Sequence, residues 1–194
     1  MQQPSSLERP WPRARALTFA VAFAALCAIA PGAAHAQEEP GPRDAHRALQ
    51  LATSGSLVVT ATLGTLVAIN QPTLFGDGRC ASGDPLLGRY GCSGLSVLHG
   101  LSALLATMLY TATVTLEIAE FDWPGRDRHG TLYEVASYGH LVGMALQPIG
   151  GIIAAMPQVL GIEDPGFSRV LRTLHIGTGY AIVGTYLVTA AIEF

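Results

Sequence analysis

The chain has no lysine; all eleven of its basic residues are arginine. That excludes Schiff-base chemistry and any phosphate loop that depends on a lysine. Charge of either sign is scarce: 13% of residues are charged, against roughly a quarter in an ordinary soluble domain. A net charge of −3 offers no basic face to nucleic acid. Gly-rich phosphate motifs, a Gly-x-Ser-x-Gly elbow, HExxH and CxxC are all missing. Beyond a recurring His-plus-Gly theme, the chain shows no evident internal repeat.

What it has instead is long apolar runs. The first follows Arg9, Arg13 and Arg15 and extends from Ala16 to Ala30, ahead of Ala34-His35-Ala36. A positive start, an apolar stretch and a small-x-small site describe a secretory signal, so residues 1–36 are expected to be removed after Ala36. Residues 37–44 (QEEPGPRD) form an exposed polar lead. Four further segments follow, at about 45–70, 94–116, 133–156 and 167–192. Each is long enough to span a bilayer core of about 30 Å at about 1.5 Å per residue. The expected fold is therefore all-α: an up-and-down four-helix transmembrane bundle over residues 45–194, with membrane lipid as its surroundings. The signal puts the mature N-terminus on the periplasmic side of a bacterial-type inner membrane. Residues 117–132 (EIAEFDWPGRDRHGTL) read as a charged loop with Trp123 at the interface. Pro148 and Gly150-Gly151 predict a kink in the third segment.

One histidine lies near the N-terminal end of each segment: His46, His99, His140 and His175. Consecutive segments run in opposite directions, so His46 and His140 fall toward one face, and His99 and His175 toward the other. An ionisable side chain inside a membrane is costly and by default points to function. Paired imidazoles across a bundle can hold a haem iron from both sides, and bis-histidine ligation favours electron transfer over oxygen chemistry. Two b haems are expected, one per pair, with irons on the order of 20 Å apart along the membrane normal from helix rise. Gly100, Gly139, Gly143 and Gly177, close to these histidines, leave room for a flat macrocycle or simply let helices pack. Arg47 and Arg172 are candidates to meet haem propionates or lipid headgroups. His129 reads as a solvated loop histidine.

The one-histidine-per-helix pattern resembles the cytochrome b561 family, with successive spacings of 53, 41 and 35 residues over about residues 43–194. On that resemblance His46 and His140 would ligate one haem and His99 and His175 the other, giving a membrane oxidoreductase subunit or electron-transfer cytochrome. The ascorbate-using members carry flanking helices and lysine at the donor site, neither of which is found here. The donor and acceptor stay open among ascorbate, a quinol and a redox protein. A homodimer or a larger complex is equally open. The competing reading is a cofactor-free membrane anchor or assembly subunit whose histidines hold helices together. A transporter would instead place them along one aqueous path at mid-membrane.

Cys80 and Cys92 bound the polar loop GRCASGDPLLGRYGC. A disulfide, two free thiols and a metal site are all compatible with it. The signal-derived orientation places this loop in the cytoplasm, where disulfides rarely persist. Arginines are balanced across the two sides, so the positive-inside rule is silent.

Overall fold

A computed structural model describes residues 41–120 and 126–193. The signal, His35, residues 37–40 of the lead and Trp123 lie outside the described residues. Four long helices are present: α1 (Pro42–Asn70), α2 (Tyr90–Glu120), α3 (Arg126–Ala155) and α4 (Pro165–Glu193), with a short 3-10 turn at Pro157–Leu160 before α4. No strand occurs among the described residues. By length and composition α1, α2 and α4 are able to cross a membrane.

Local chemistry sets the ends. Pro42 opens α1, where its missing N–H costs nothing, and Asp44 lies in the first turn. Pro72 disfavours helical backbone at the residue before it, and Gln71 is extended (φ −102°, ψ 151°). Asp164 caps α4, accepting from the Gly166 and Phe167 backbone N–H groups at 3.1 and 2.9 Å. Within α3 the non-helical residue is Gly130 (φ 81°, ψ 179°), a backbone state that glycine adopts freely. The helix then runs through Pro148 to Ala155 without ending. The non-helical residue thus lies near the start of α3, at a glycine the sequence reading did not single out. Glu117, expected in a loop, is a buried residue of α2.

The bundle is apolar outside and mixed inside, where polar side chains are buried beside apolar ones. On α3 the exposed side chains Leu132, Val135, Val142, Leu146, Ile149 and Ile152 recur at helical spacing. The buried set includes Gln50, Thr53, Thr113, Ser137, His140 and Thr189. Exposed apolar surface on this scale marks a lipid or partner interface. α1 lies along α2 and α3 along α4; the two hairpins meet mainly through α1 and α4, and α2 and α3 touch little.

The 71–89 connection is tied down rather than loose. Cys80 and Cys92 form a disulfide. Asn70, fully buried, donates its amide to the Leu66 and Leu86 carbonyls at 3.2 Å and accepts from the Leu86 N–H at 2.7 Å. Arg169 of α4 pairs with Asp77 at 2.5 Å, and Thr173 accepts from the Leu74 N–H at 3.1 Å. Asn70 thus joins the end of α1 to the loop that leads into α2. Asn70→Ala removes the acceptor of the half-buried Leu86 N–H and the donor to two carbonyls, a loss worth about 1–3 kcal/mol, and thermal unfolding in detergent should shift down by about 3–10 °C. An unchanged midpoint would show that the loop closes without it.

Candidate functional site

The His99 and His175 rings face each other across the bundle, with centroids 6.2 Å apart and planes at 73°. His99 lies nine residues into α2 and His175 ten into α4, so both sit about 15 Å from the disulfide-loop end of their helices. Imidazole nitrogens bind a metal at about 2.0–2.1 Å and lie about 1.2 Å from their ring centres, so two rings sharing one ion have centroids about 6.4 Å apart. The observed spacing fits that.

The surroundings hold both rings in place. The His99 Nδ1 lies 3.1 Å from the Thr60 carbonyl oxygen. A carbonyl only accepts, so this bond puts hydrogen on Nδ1 and leaves the Nε2 lone pair free, as a metal ligand requires. His175 Nδ1 is buried with no hydrogen-bond partner. Its backbone carbonyl accepts from the Gln147 amide at 2.9 Å, and Thr178 donates to the other end of that amide at 2.8 Å. Each ring packs on a glycine of the neighbouring helix. A Cβ at Gly64 would fall 2.9 Å from His99 Cε1, and one at Gly151 would fall 3.0 Å from His175 Cε1. Both histidines line a largely apolar cavity of about 530 Å³, with Leu57, Ala103, Met144 and Ile182 among its walls. That volume lies in the range of cofactor pockets, roughly 300–1,000 Å³.

Arg172 lines the same cavity and donates to the Pro72 and Ala154 carbonyls at 3.3 Å. Arg47 is exposed on α1 beside His46 and does not line it. The glycines flagged by sequence have other roles. Gly143 lets α3 close on Ile182 (2.4 Å to an added Cβ), while Gly100 and Gly177 have nothing within 4 Å. Gly64 and Gly151, remote in sequence from the histidines they face, are the ones that make room for the rings.

His46 and His140 are both buried but are not brought together. Gln50 of α1 and Tyr133 of α3 both reach Glu193, which fixes the register of the two helices. Thr53 of α1 and His140 of α3 meet the matching threonines Thr113 and Thr189, and His46 lies seven residues outward of Thr53, an axial offset of roughly 10 Å. The His140 ring instead lies against Tyr110 (5.6 Å) and Tyr186 (5.2 Å). Its Nδ1 meets the Tyr110 hydroxyl at 2.8 Å and its Nε2 the Thr189 hydroxyl at 3.3 Å. As placed, these residues do not fit a second macrocycle. His129, a residue of α3 rather than of a solvated loop, stacks at 4.6 Å on Tyr133.

Two helices repeat one pattern that a search for His and Gly misses. His-x10-Tyr-x2-Thr-x3-Glu occurs at His99–Tyr110–Thr113–Glu117 and again at His175–Tyr186–Thr189–Glu193. The partner helices correspond too. Gly64 matches Gly151, and the Thr53–Thr113 contact of 2.9 Å matches the His140–Thr189 contact. The molecule is thus two similar hairpins about a pseudo-two-fold axis, and His99 and His175 are equivalents meeting on it. His140 takes the position of Thr53, and His46 that of Tyr133, so the second pair has no such relation.

Gly64→Val and Gly151→Val should each push a ring off the axis and weaken ferric haem binding by about tenfold or more, whereas Gly177→Val should stay near wild type. Absorbance titration of the purified protein reads this; equal affinity for all three would detach the glycines from the site. No protein-family model, curated protein or solved structure matches this chain.

Proposed function

We propose that this protein is a membrane cytochrome that transfers single electrons through one b-type haem held by His99 and His175. The observation that carries the reading is the 6.2 Å apposition of the two rings inside an apolar cavity. A haem held there by His99 and His175 would supply one-electron exchange. The chain's own residues do the rest. Thr60 orients His99 through Nδ1, Gln147 holds the α4 backbone at His175, and Gly64 and Gly151 set ring positions. Arg172, at the disulfide-loop end of the cavity, has N–H groups beyond its two carbonyl bonds to offer a propionate.

α3 is the fourth span in this reading. It matches its neighbours in length, packs along α4 and turns an apolar stripe outward. The leader would place Pro42 on the periplasmic side of an inner membrane and the Cys80–Cys92 loop on the cytoplasmic side, whereas the disulfide itself favours the oxidising side for that loop.

A dithionite-reduced minus oxidised spectrum with haem stoichiometry tests the assignment. The expected result is a low-spin b-type band at one haem per chain, lost in both His99→Ala and His175→Ala and kept in His46→Ala. Two haems per chain would restore the His46/His140 pair, and a colourless protein grown with ample haem would leave the anchor-subunit reading. Orientation has its own test. After reduction, Cys80 and Cys92 should resist a membrane-impermeant thiol reagent added outside intact cells, and efficient labelling would invert the topology.

A further inference from the structure

The cavity around His99 and His175 is bounded on most sides. Its inner end is filled by Leu57, Ala106, Met144 and Ile182. Its disulfide-loop end is crossed by hydrogen bonds. Arg172 of α4 donates to Ala154 of α3 and to Pro72 beyond α1, and the Gln71 amide donates to the Cys92 carbonyl of α2 at 3.1 Å. Within each hairpin a ring packs on a glycine, His99 on Gly64 and His175 on Gly151. Two seams join the hairpins, α1 with α4 and α2 with α3, and the pseudo-two-fold axis makes them equivalents.

The symmetry fails at these seams. Between α1 and α4 the Thr65 and Tyr180 hydroxyls are hydrogen-bonded to each other. Tyr180 follows His175 by five residues, as Leu104 follows His99; Thr65 follows Gly64, as Ile152 follows Gly151. The bridging pair of one seam is therefore Leu104 and Ile152 in the other. Neither has a polar group to bridge with. Both line the cavity, and they are 60% and 59% exposed. Tyr180 is exposed too, at 49%, but it is tied across its seam. Gly100 and Pro148 also line the cavity from the α2–α3 side and are exposed. Gly100 has no side chain to fill the gap, and α2 and α3 touch little.

The surroundings of that gap follow from the sequence. No Asp, Glu or Arg occurs between residues 90 and 116 or between 135 and 162. Leu104 and Ile152 lie well inside these stretches. In the spanning arrangement proposed above, the gap faces acyl chains rather than headgroups or water.

We propose that the α2–α3 gap is the lateral entrance of the cavity. Its ligand, a flat and largely apolar molecule with an anionic end for Arg172, enters and leaves between Leu104 and Ile152 from the acyl-chain layer. Such a molecule dissolves in a bilayer through its apolar area. Haem as the ligand rests on the reading above; the position of the entrance does not.

Two measurements on the full-length protein in phosphatidylcholine vesicles test this. The first follows absorbance as protein purified without haem takes up ferric haem from haem-loaded vesicles. Leu104→Tyr with Ile152→Thr transplants the bridged seam into the open one. It should slow uptake and release alike, each by about tenfold or more, as a gate does. Val97→Tyr, exposed on α2 but outside the cavity, should change neither rate. Wild-type rates in the double variant overturn the proposal, as does equal slowing by Val97→Tyr.

The second measurement needs no haem. Thr107 lines the cavity one turn inward of Leu104. Fluorescence of Thr107→Trp, with Trp11→Phe and Trp123→Phe, should be quenched by lipids brominated on their acyl chains and spared by aqueous iodide. Adding the double variant should remove the lipid quenching. Quenching by iodide instead puts the entrance at the loop end and overturns the proposal, as does lipid quenching that survives in the bridged seam. Should the double variant fail to fold, the contrast between lipid and iodide in the open seam decides. A protein that binds no haem but shows the lipid quenching ends the cytochrome reading and leaves the entrance in place.

Discussion

Everything in this bundle is arranged around two imidazoles that meet where symmetry puts them. His99 and His175 are equivalent residues of two similar hairpins, and equivalents can approach each other only at the axis relating them. For the rings to meet there, α2 and α4 must stand far enough apart to leave a cavity, and the flanking helices must carry no side chain where the rings pack. Gly64 and Gly151 satisfy the second condition. The first costs packing, because side chains that line an open volume lose contacts on that side. The cost is concentrated at one end of the bundle. At the other end Tyr110, Tyr186, Leu57, Ala106 and Met144 fill the axis.

The two halves are alike but not identical, and the difference separates their roles. Around the cavity the correspondence is close: histidine with histidine, glycine with glycine. At the polar end it breaks. One hairpin has Thr53 and His46 where the other has His140 and Tyr133. A threonine opposite a histidine cannot supply a second axial pair, but it does supply hydroxyls. The Thr53–Thr113 bond and the His140–Thr189 contact make one layer of polar side chains across the bundle. Inside a membrane each such group has to find a partner within the protein, because lipid provides none. Buried polar layers of this kind fix one register of helices that apolar contacts alone would leave free to slide.

The helices themselves were readable, because apolar runs of this length have few other fates. The ends were less so. Glu117 looked like loop because it opens a charged stretch; the Tyr133 hydroxyl, sixteen residues on and in the next helix, helps to explain why it belongs inside. His99 and His175 were legible from alternation of direction, but alternation fixes sides and not depth. That is why it paired His46 with His140, which share a side and lie at different levels. The signal that separates the two pairs was in the sequence all along. The Tyr, Thr and Glu that follow His99 at fixed spacing recur after His175 and nowhere near His46 or His140. Gly64 and Gly151 were beyond sequence reasoning, since many small residues occur in each helix and only the fold tells which of them meets a ring.

The apolar layer between the two ends also governs how strongly they sense each other. Tyr110 is eleven residues from His99, and Glu117 eighteen, so by helix rise a charge on the ring axis lies about 16 Å from the Tyr110–His140 level and about 27 Å from the Glu117 level. At an effective dielectric of about 20, a unit charge acts over those distances with about 1 and about 0.6 kcal/mol. Both effects are weak, and they act through space across the Leu57–Met144 layer. The layer thus lets the two ends of the bundle carry polar groups that hardly sense each other.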